Sequence, residues 1–263
     1  MTGADDFTMN GCTARQGVIP GGAGLSYSSA ALRRSPTPPH LMTSSPDRAW
    51  PRHLLSRFTH LWYLKAFGTM AFMVLFFQAY FWVQRHPLGE PFTVPMLVID
   101  DWVPFTPAGF AAYVSLWVYV SLPAAWMPNL RALLHQGLWT AALCIFCLLL
   151  FWIFPTQTPV LDIDWSQHPQ LAFMKGLDAT GNACPSLHVA SAVYAAVWLH
   201  HIFAQVGAPA ALRWLSLLQC AVILWSTMAI RQHVFLDVLA GAVVGAAFAW
   251  LSLRTAPSAA TVR

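Results

Sequence analysis

The chain has 263 residues, 57% hydrophobic and only 9% charged, far from the roughly 25% charged of a soluble domain. That excludes an ordinary soluble protein, and 13 Trp with 17 Phe suit a bilayer-embedded bundle with aromatic belts. The net charge of +4 comes without a basic stripe interleaved with aromatics, which argues against nucleic acid as a partner.

Residues 1 to about 50 are rich in Gly, Ser, Thr, Pro and Ala and show no periodicity, so they are expected to be disordered. No apolar h-region precedes a cleavage site, so they do not read as a signal peptide, and Met42 is a candidate native start. Six apolar segments follow, each near the 20 or so residues that cross a hydrocarbon core of roughly 30 Å. They run from about Leu61 to Val83, Ala108 to Trp126, Leu133 to Phe154, Pro185 to Phe203, Leu212 to Ile230 and Val234 to Leu253. The expected fold is an all-α, polytopic six-transmembrane-helix bundle. Its organisation is a disordered tail over 1–56, a membrane catalytic domain over 57–254 and a short cytoplasmic tail over 255–263. The cysteines make no disulfide framework: Cys144, Cys147 and Cys220 lie inside apolar segments, where thiols behave as small hydrophobes.

Charge orients the spans. Of the 14 lysines and arginines, only Arg85, Lys175 and Arg231 fall on the face opposite the N-terminus. That face collects Glu90, Asp100, Asp101, Asp162, Asp164, Asp178 and Asp237 instead. Basic residues concentrate on the cytoplasmic side, so both termini are expected in the cytoplasm of an inner-membrane protein. The acidic loops then face the periplasm or exterior.

Two polar islands lie on that outer face, each running into a span: Cys184-Pro185-Ser186-Leu187-His188 and Arg231-Gln232-His233-Val234-Phe235-Leu236-Asp237. A charged side chain at mid-bilayer costs about 2.5–3.5 kcal/mol on the mildest scale, so such residues are functional candidates. His233 and Asp237 are four apart and are predicted to share one helix face, where the carboxylate can fix the imidazole tautomer. The other ring nitrogen is then free as nucleophile or base. His188 sits in the first turn of the fourth span, and the helix N-terminus at Ser186 is a seat for an anion. Arg231 supplies a cation able to hold phosphate oxygens. Such a set suits phosphoryl transfer.

Pro185-Ser186-Leu187-His188 and Ser226-x6-His233-x3-Asp237 resemble the second and third signature motifs of the type-2 phosphatidic acid phosphatase superfamily. The resemblance covers roughly Asp100 to the end of the sixth span. It implies His233 as the nucleophile forming a phosphohistidine, Asp237 as its orienting partner and His188 as the acid for the leaving group. It implies no metal or other cofactor. The phosphate-binding candidates are Ser186, Arg231, Lys175 and Ser226, with Asp100 and Asp101 as head-group contacts or, equally, a solvated loop. The departures are Leu187 for Gly, Thr227 for Arg, and the missing first motif, K-x6-R-P. Leu187, with the Asp-Asp-Trp-Val-Pro-Phe loop and the Phe-Pro-Thr stretch before the fourth span, is similar to the inositol-phosphorylceramide synthase branch, which moves a phospho-head-group between lipids and also lacks the first motif.

Rival readings are histidines merely hydrogen-bonded within a bundle, and a metal site of His188, His233 and Asp237. Gly241-Ala242-Val243-Val244-Gly245 is a GxxxG expected to pack the sixth span on the small residues Ala190, Ser191 and Ala195 of the fourth. The expected function is an integral-membrane lipid phosphate phosphohydrolase or phosphotransferase. Head-group transfer and a catalytically inactive membrane scaffold are the alternatives.

Overall fold

A computed structural model describes residues 49–177 and 182–257. The tail predicted for residues 1–48, the candidate start Met42, Asp178 and residues 258–263 lie outside them. The tail boundary expected at residue 56 falls inside a helix, α1 (Trp50–Thr59), which has Pro51 in its first turn and buries Leu54 while Arg52, His53, Leu55 and Phe58 stay exposed. Left-handed Leu61 (φ 55°) then turns the chain into α2 (Trp62–Arg85).

The remaining helices are α3 (Val98–Asp101), α4 (Gly109–Val114), α5 (Leu116–Ala125), α6 (Leu130–Ile153), α7 (Pro169–Leu177), α8 (Leu187–Gln205), α9 (Ala210–Ala229) and α10 (Phe235–Arg254). Among the described residues, five helices are long and apolar enough to cross a membrane: α2, α6, α8, α9 and α10. The second predicted span is the exception, and the count of six therefore becomes five with one shorter apolar helix. Gly109–Ala125 runs for about 25 Å at 1.5 Å per residue, against a core of roughly 30 Å. It is interrupted at Ser115, whose hydroxyl donates back to the Ala112 carbonyl at 2.6 Å while accepting from Gln219 Nε2 of α9 at 2.8 Å. Back-bonding of this kind bends helices.

Helix α8 is the centre of the bundle: 61% of its apolar window is buried, against 6% for α2. Exposed Phe67, Met70 and Leu75 make α2 a wall toward lipid. The GxxxG packs as expected. A Cβ on Gly241 would overlap the Ser186 carbonyl oxygen, and one on Gly245 would overlap the Ala190 backbone. Small residues let α8 and α10 meet backbone to backbone, where dispersion contacts drive helix association in lipid.

The loops at the two ends of the helices are tied separately. At one end Lys65 Nζ donates to the carbonyls of Arg57 and Ala125, and Arg57 Nη1 reaches Gln205 Oε1 at 3.4 Å. At the other, β1 (Phe92–Thr93) pairs in parallel with β2 (Thr156–Gln157), Phe92 opposite Thr156. That pair joins the loop after α2 to the loop after α6, both of which frame the polar islands.

Candidate functional site

The second island is a tight reversal between α9 and α10. Arg231 is left-handed (φ 59°), and the N–H groups of Gln232 and His233 both donate to the Thr227 carbonyl, at 3.0 and 3.2 Å. Helix α10 begins only at Phe235, so His233 precedes the helix and does not share a helix face with Asp237 as the spacing predicted. The two meet because Asp237 folds back over the helix start. Its Oδ2 accepts from the Val234 N–H at 3.0 Å and lies 3.5 Å from His233 Nδ1. That separation is long for a hydrogen bond, as catalytic contacts often are before substrate binds.

The first island is built on the second. Ser186 N–H donates to the Asp237 carbonyl at 3.0 Å, and Ser186 Oγ caps α8 by accepting from Val189 N–H at 3.3 Å. Thr156 Oγ1 accepts from the Cys184 N–H at 2.8 Å. These bonds set the imidazoles of His188 and His233 5.7 Å apart, centroid to centroid. Burial and then the Asp237 charge push the Cys184 thiol up to about 11, which keeps it protonated at neutral pH.

Two aromatic residues complete the pair. Tyr113 of α4 is hydrogen-bonded through its hydroxyl to His188 Nε2 at 2.6 Å, and the Trp117 ring lies 5.9 Å from that imidazole. Nothing in the sequence distinguished these two from the other aromatics of their span. Among the described residues, no three His, Cys, Asp or Glu side chains stand where they could share a metal ion, so the two-His-one-carboxylate arrangement considered above does not form.

His188 and His233 open into a cavity of about 900 Å³ lined by α2, α4, α5 and α6. It follows α2 from Lys65 to Phe81, walled by Phe72, Phe76 and Phe77 among others. Lys175, Asn182, Gln232 and Thr158 line it with the histidines.

The other predicted site residues are placed elsewhere. Asp100 is 1% exposed and serves as a helix cap: Oδ1 accepts from Phe235 N–H at 2.7 Å and Oδ2 from Leu97 N–H at 2.8 Å. Asp101 is exposed. Arg231 Nη1 and Nη2 donate to the carbonyls of Asp100 and Val103, at 3.1 and 3.0 Å, and so clamp the α3 loop onto the island. Ser226 Oγ donates to the Ile223 carbonyl at 2.7 Å within α9. Ser186, Ser226 and Arg231 do not line the cavity, whereas Lys175 does. Lys175 Nζ donates to the Arg231 carbonyl at 3.1 Å and lies 4.7 Å from the Trp165 ring centroid. Asn182 and Gln232, which sequence reasoning passed over, stand with the histidines on the cavity wall.

Residues 151–259, which hold both islands and α8 to α10, match the family model of the PAP2 superfamily. No curated protein and no solved structure matches the chain. The family match, with the five long apolar helices, supports a multi-pass membrane protein of the lipid-phosphatase type.

Proposed function

On the premise of that match, we propose that the chain is a lipid phosphate phosphohydrolase or phosphotransferase working through a phosphohistidine on His233. The observation that carries the reading is the apolar cavity of about 900 Å³ that ends on the facing imidazoles of His188 and His233. It offers a hydrocarbon chain a place beside α2 while the phosphate meets the two histidines.

His233 Nδ1 faces the Asp237 carboxylate, which leaves Nε2 for phosphorus. In the first step an N–P bond forms, the P–O bond to the lipid alcohol breaks, and His188 gives its proton to the departing alkoxide. In the second, water or another alcohol attacks phosphorus, His188 takes the proton from the attacking oxygen, and the N–P bond breaks. Asp237 stabilises the positive ring in both steps. General acid–base help of this kind contributes about 10²–10⁴-fold. The active site is assigned to the extracytoplasmic side, because Arg52, Arg57, Lys65, Arg131, Arg213 and Arg254 belong to the other end of the spans.

Head-group transfer of the inositol-phosphorylceramide synthase type is a second reading. It is favoured by Leu187, buried on the cavity wall at the position where hydrolases of this type have Gly. A lipid-product assay with the full-length chain in vesicles, with and without added acceptor alcohols, separates the two. Free phosphate blocked by vanadate marks a hydrolase, and phosphate carried onto the added alcohol marks a transferase. His233→Ala is expected to abolish either product, and normal turnover in that variant would refute the phosphohistidine route.

A further inference from the structure

We propose that the side-chain amides of Asn182 and Gln232 are phosphate-binding groups of this site, donating N–H to the oxygens of the phosphoryl group that His233 attacks. This rests on the phosphoester reading above and names donors that the sequence motifs do not.

Both side chains are more than nine-tenths buried, Asn182 at 7% exposed and Gln232 at 8%. Among the described residues, Asn182 Nδ2 and Gln232 Nε2 nevertheless have no hydrogen-bond partner. Buried polar groups almost always find partners, so orphaned donors need an explanation. Both residues line the same cavity as His188 and His233. Gln232 adjoins His233, and their backbone N–H groups share one acceptor, the Thr227 carbonyl. An anion with several acceptor oxygens in that cavity would give both amides acceptors.

The placement of the cations strengthens the case. Arg231 spends its guanidinium on two backbone carbonyls and does not line the cavity. Lys65 lines it but donates to the Arg57 and Ala125 carbonyls, at the opposite end from the histidines. Lys175 is then the cation on the histidine side, and one ammonium group cannot meet every phosphoryl oxygen. Amide donors with fixed directions supply the rest, as neutral donors do in oxyanion holes. Asn182 is also held at φ 62°, a left-handed conformation that Gly and Asn adopt most readily. Gly would fit that backbone and would leave the cavity without the amide.

The test is calorimetric titration of orthovanadate into the detergent-purified full-length protein, with a thermal melt of each variant. Asn182→Gly keeps the backbone conformation and removes the amide. Gln232→Met keeps the length and removes the donor, and Gln232→Glu replaces it with an anion. Each deletion is expected to raise the vanadate Kd about tenfold or more, the usual effect of losing a hydrogen bond to a charged group. Gln232→Glu is expected to raise it further. The melting temperatures should hold or rise, because the deletions remove unpaired buried donors. Wild-type affinity in both Asn182→Gly and Gln232→Met would overturn the proposal and mark the amides as wall groups bonded to water. A weakened Kd that merely tracks a lowered melting temperature would overturn it as well. Failure of the wild-type protein to bind orthovanadate would instead sink the phosphoester reading, and this proposal with it.

Discussion

Gly241→Ala tests how closely the bundle's packing is tied to its chemistry. The added Cβ would overlap the Ser186 carbonyl oxygen and stand 3.1 Å from Val189 Cβ. The carbonyl belongs to the backbone, so no rotamer change relieves the overlap. Restoring ordinary contact requires α8 and α10 to part by roughly 1 Å, and overpacking of this kind costs about 1–3 kcal/mol. The helix gains about 0.5–1 kcal/mol from losing a glycine, which leaves a net cost of up to about 2.5 kcal/mol. At about 2–4 °C per kcal/mol for a chain of this size, the melting temperature should fall by up to about 10 °C. The catalytic effect should be larger than the thermal one, because Ser186 N–H is bonded to the Asp237 carbonyl and Ser186 caps the turn that carries His188. A displacement of about 1 Å at such a junction can lower turnover about a hundredfold. Gly245→Ala meets the Ala190 backbone one turn deeper, so it should cost similar stability with a smaller loss of turnover. Gly68→Ala in α2, which meets nothing within 4 Å, is the stability control and should be neutral or gain about 0.5–1 kcal/mol. The measurements are thermal melts in detergent and turnover on a lipid phosphate. Unchanged melting and turnover in Gly241→Ala would refute the backbone-to-backbone contact.

Asp100→Ala leaves the N–H groups of Leu97 and Phe235 without acceptors; two charge-assisted bonds at about 1.5–3 kcal/mol each predict a large loss of stability, read from the thermal melt. Tyr113→Phe removes the hydroxyl bonded to His188 Nε2; the melt should move by about 1 kcal/mol or less while kcat falls, and an unchanged kcat with an unchanged pH profile would rule out a role in holding His188. Cys184, with its thiol pushed up to about 11, should resist alkylation by iodoacetamide at pH 8 and react only as pH approaches that value, since the thiolate is the nucleophile. Rapid labelling at pH 8 in the folded protein would contradict the burial beside Asp237.

The residues that announce themselves in the sequence are those whose position is costly. His188, His233 and Asp237 stand out because they adjoin apolar runs, and five of the spans begin and end within a few residues of their predicted bounds. Gly241 and Gly245 were legible for the same reason, as small residues spaced one turn apart. Contacts between distant residues were not legible. Asp100 read equally as a head-group contact or part of a solvated loop, yet its carboxylate is buried and caps a helix 135 positions later. Arg231 looked like a phosphate clamp, yet its fork fits two backbone carbonyls that a linear reading cannot bring near. The His233–Asp237 spacing suggested a helix face, whereas the capping geometry at Val234 delays the helix until Phe235. Tyr113, Trp117, Asn182 and Gln232 carry no periodic or charge signal, and only the fold sets the first two beside His188 and all four on the wall of one cavity.

The bond from Ser186 N–H to the Asp237 carbonyl has a consequence for biogenesis. One partner opens α8 and the other lies in α10, which leaves the ribosome after α8. The partner of His233 and the acceptor that anchors the His188 turn are the same residue, Asp237, and it arrives only after α8 has been made. A chain halted before α10 would hold His188 but neither its anchor nor Asp237. The enzyme should therefore stay silent while α8 waits in the membrane and become competent only when α10 seats against it.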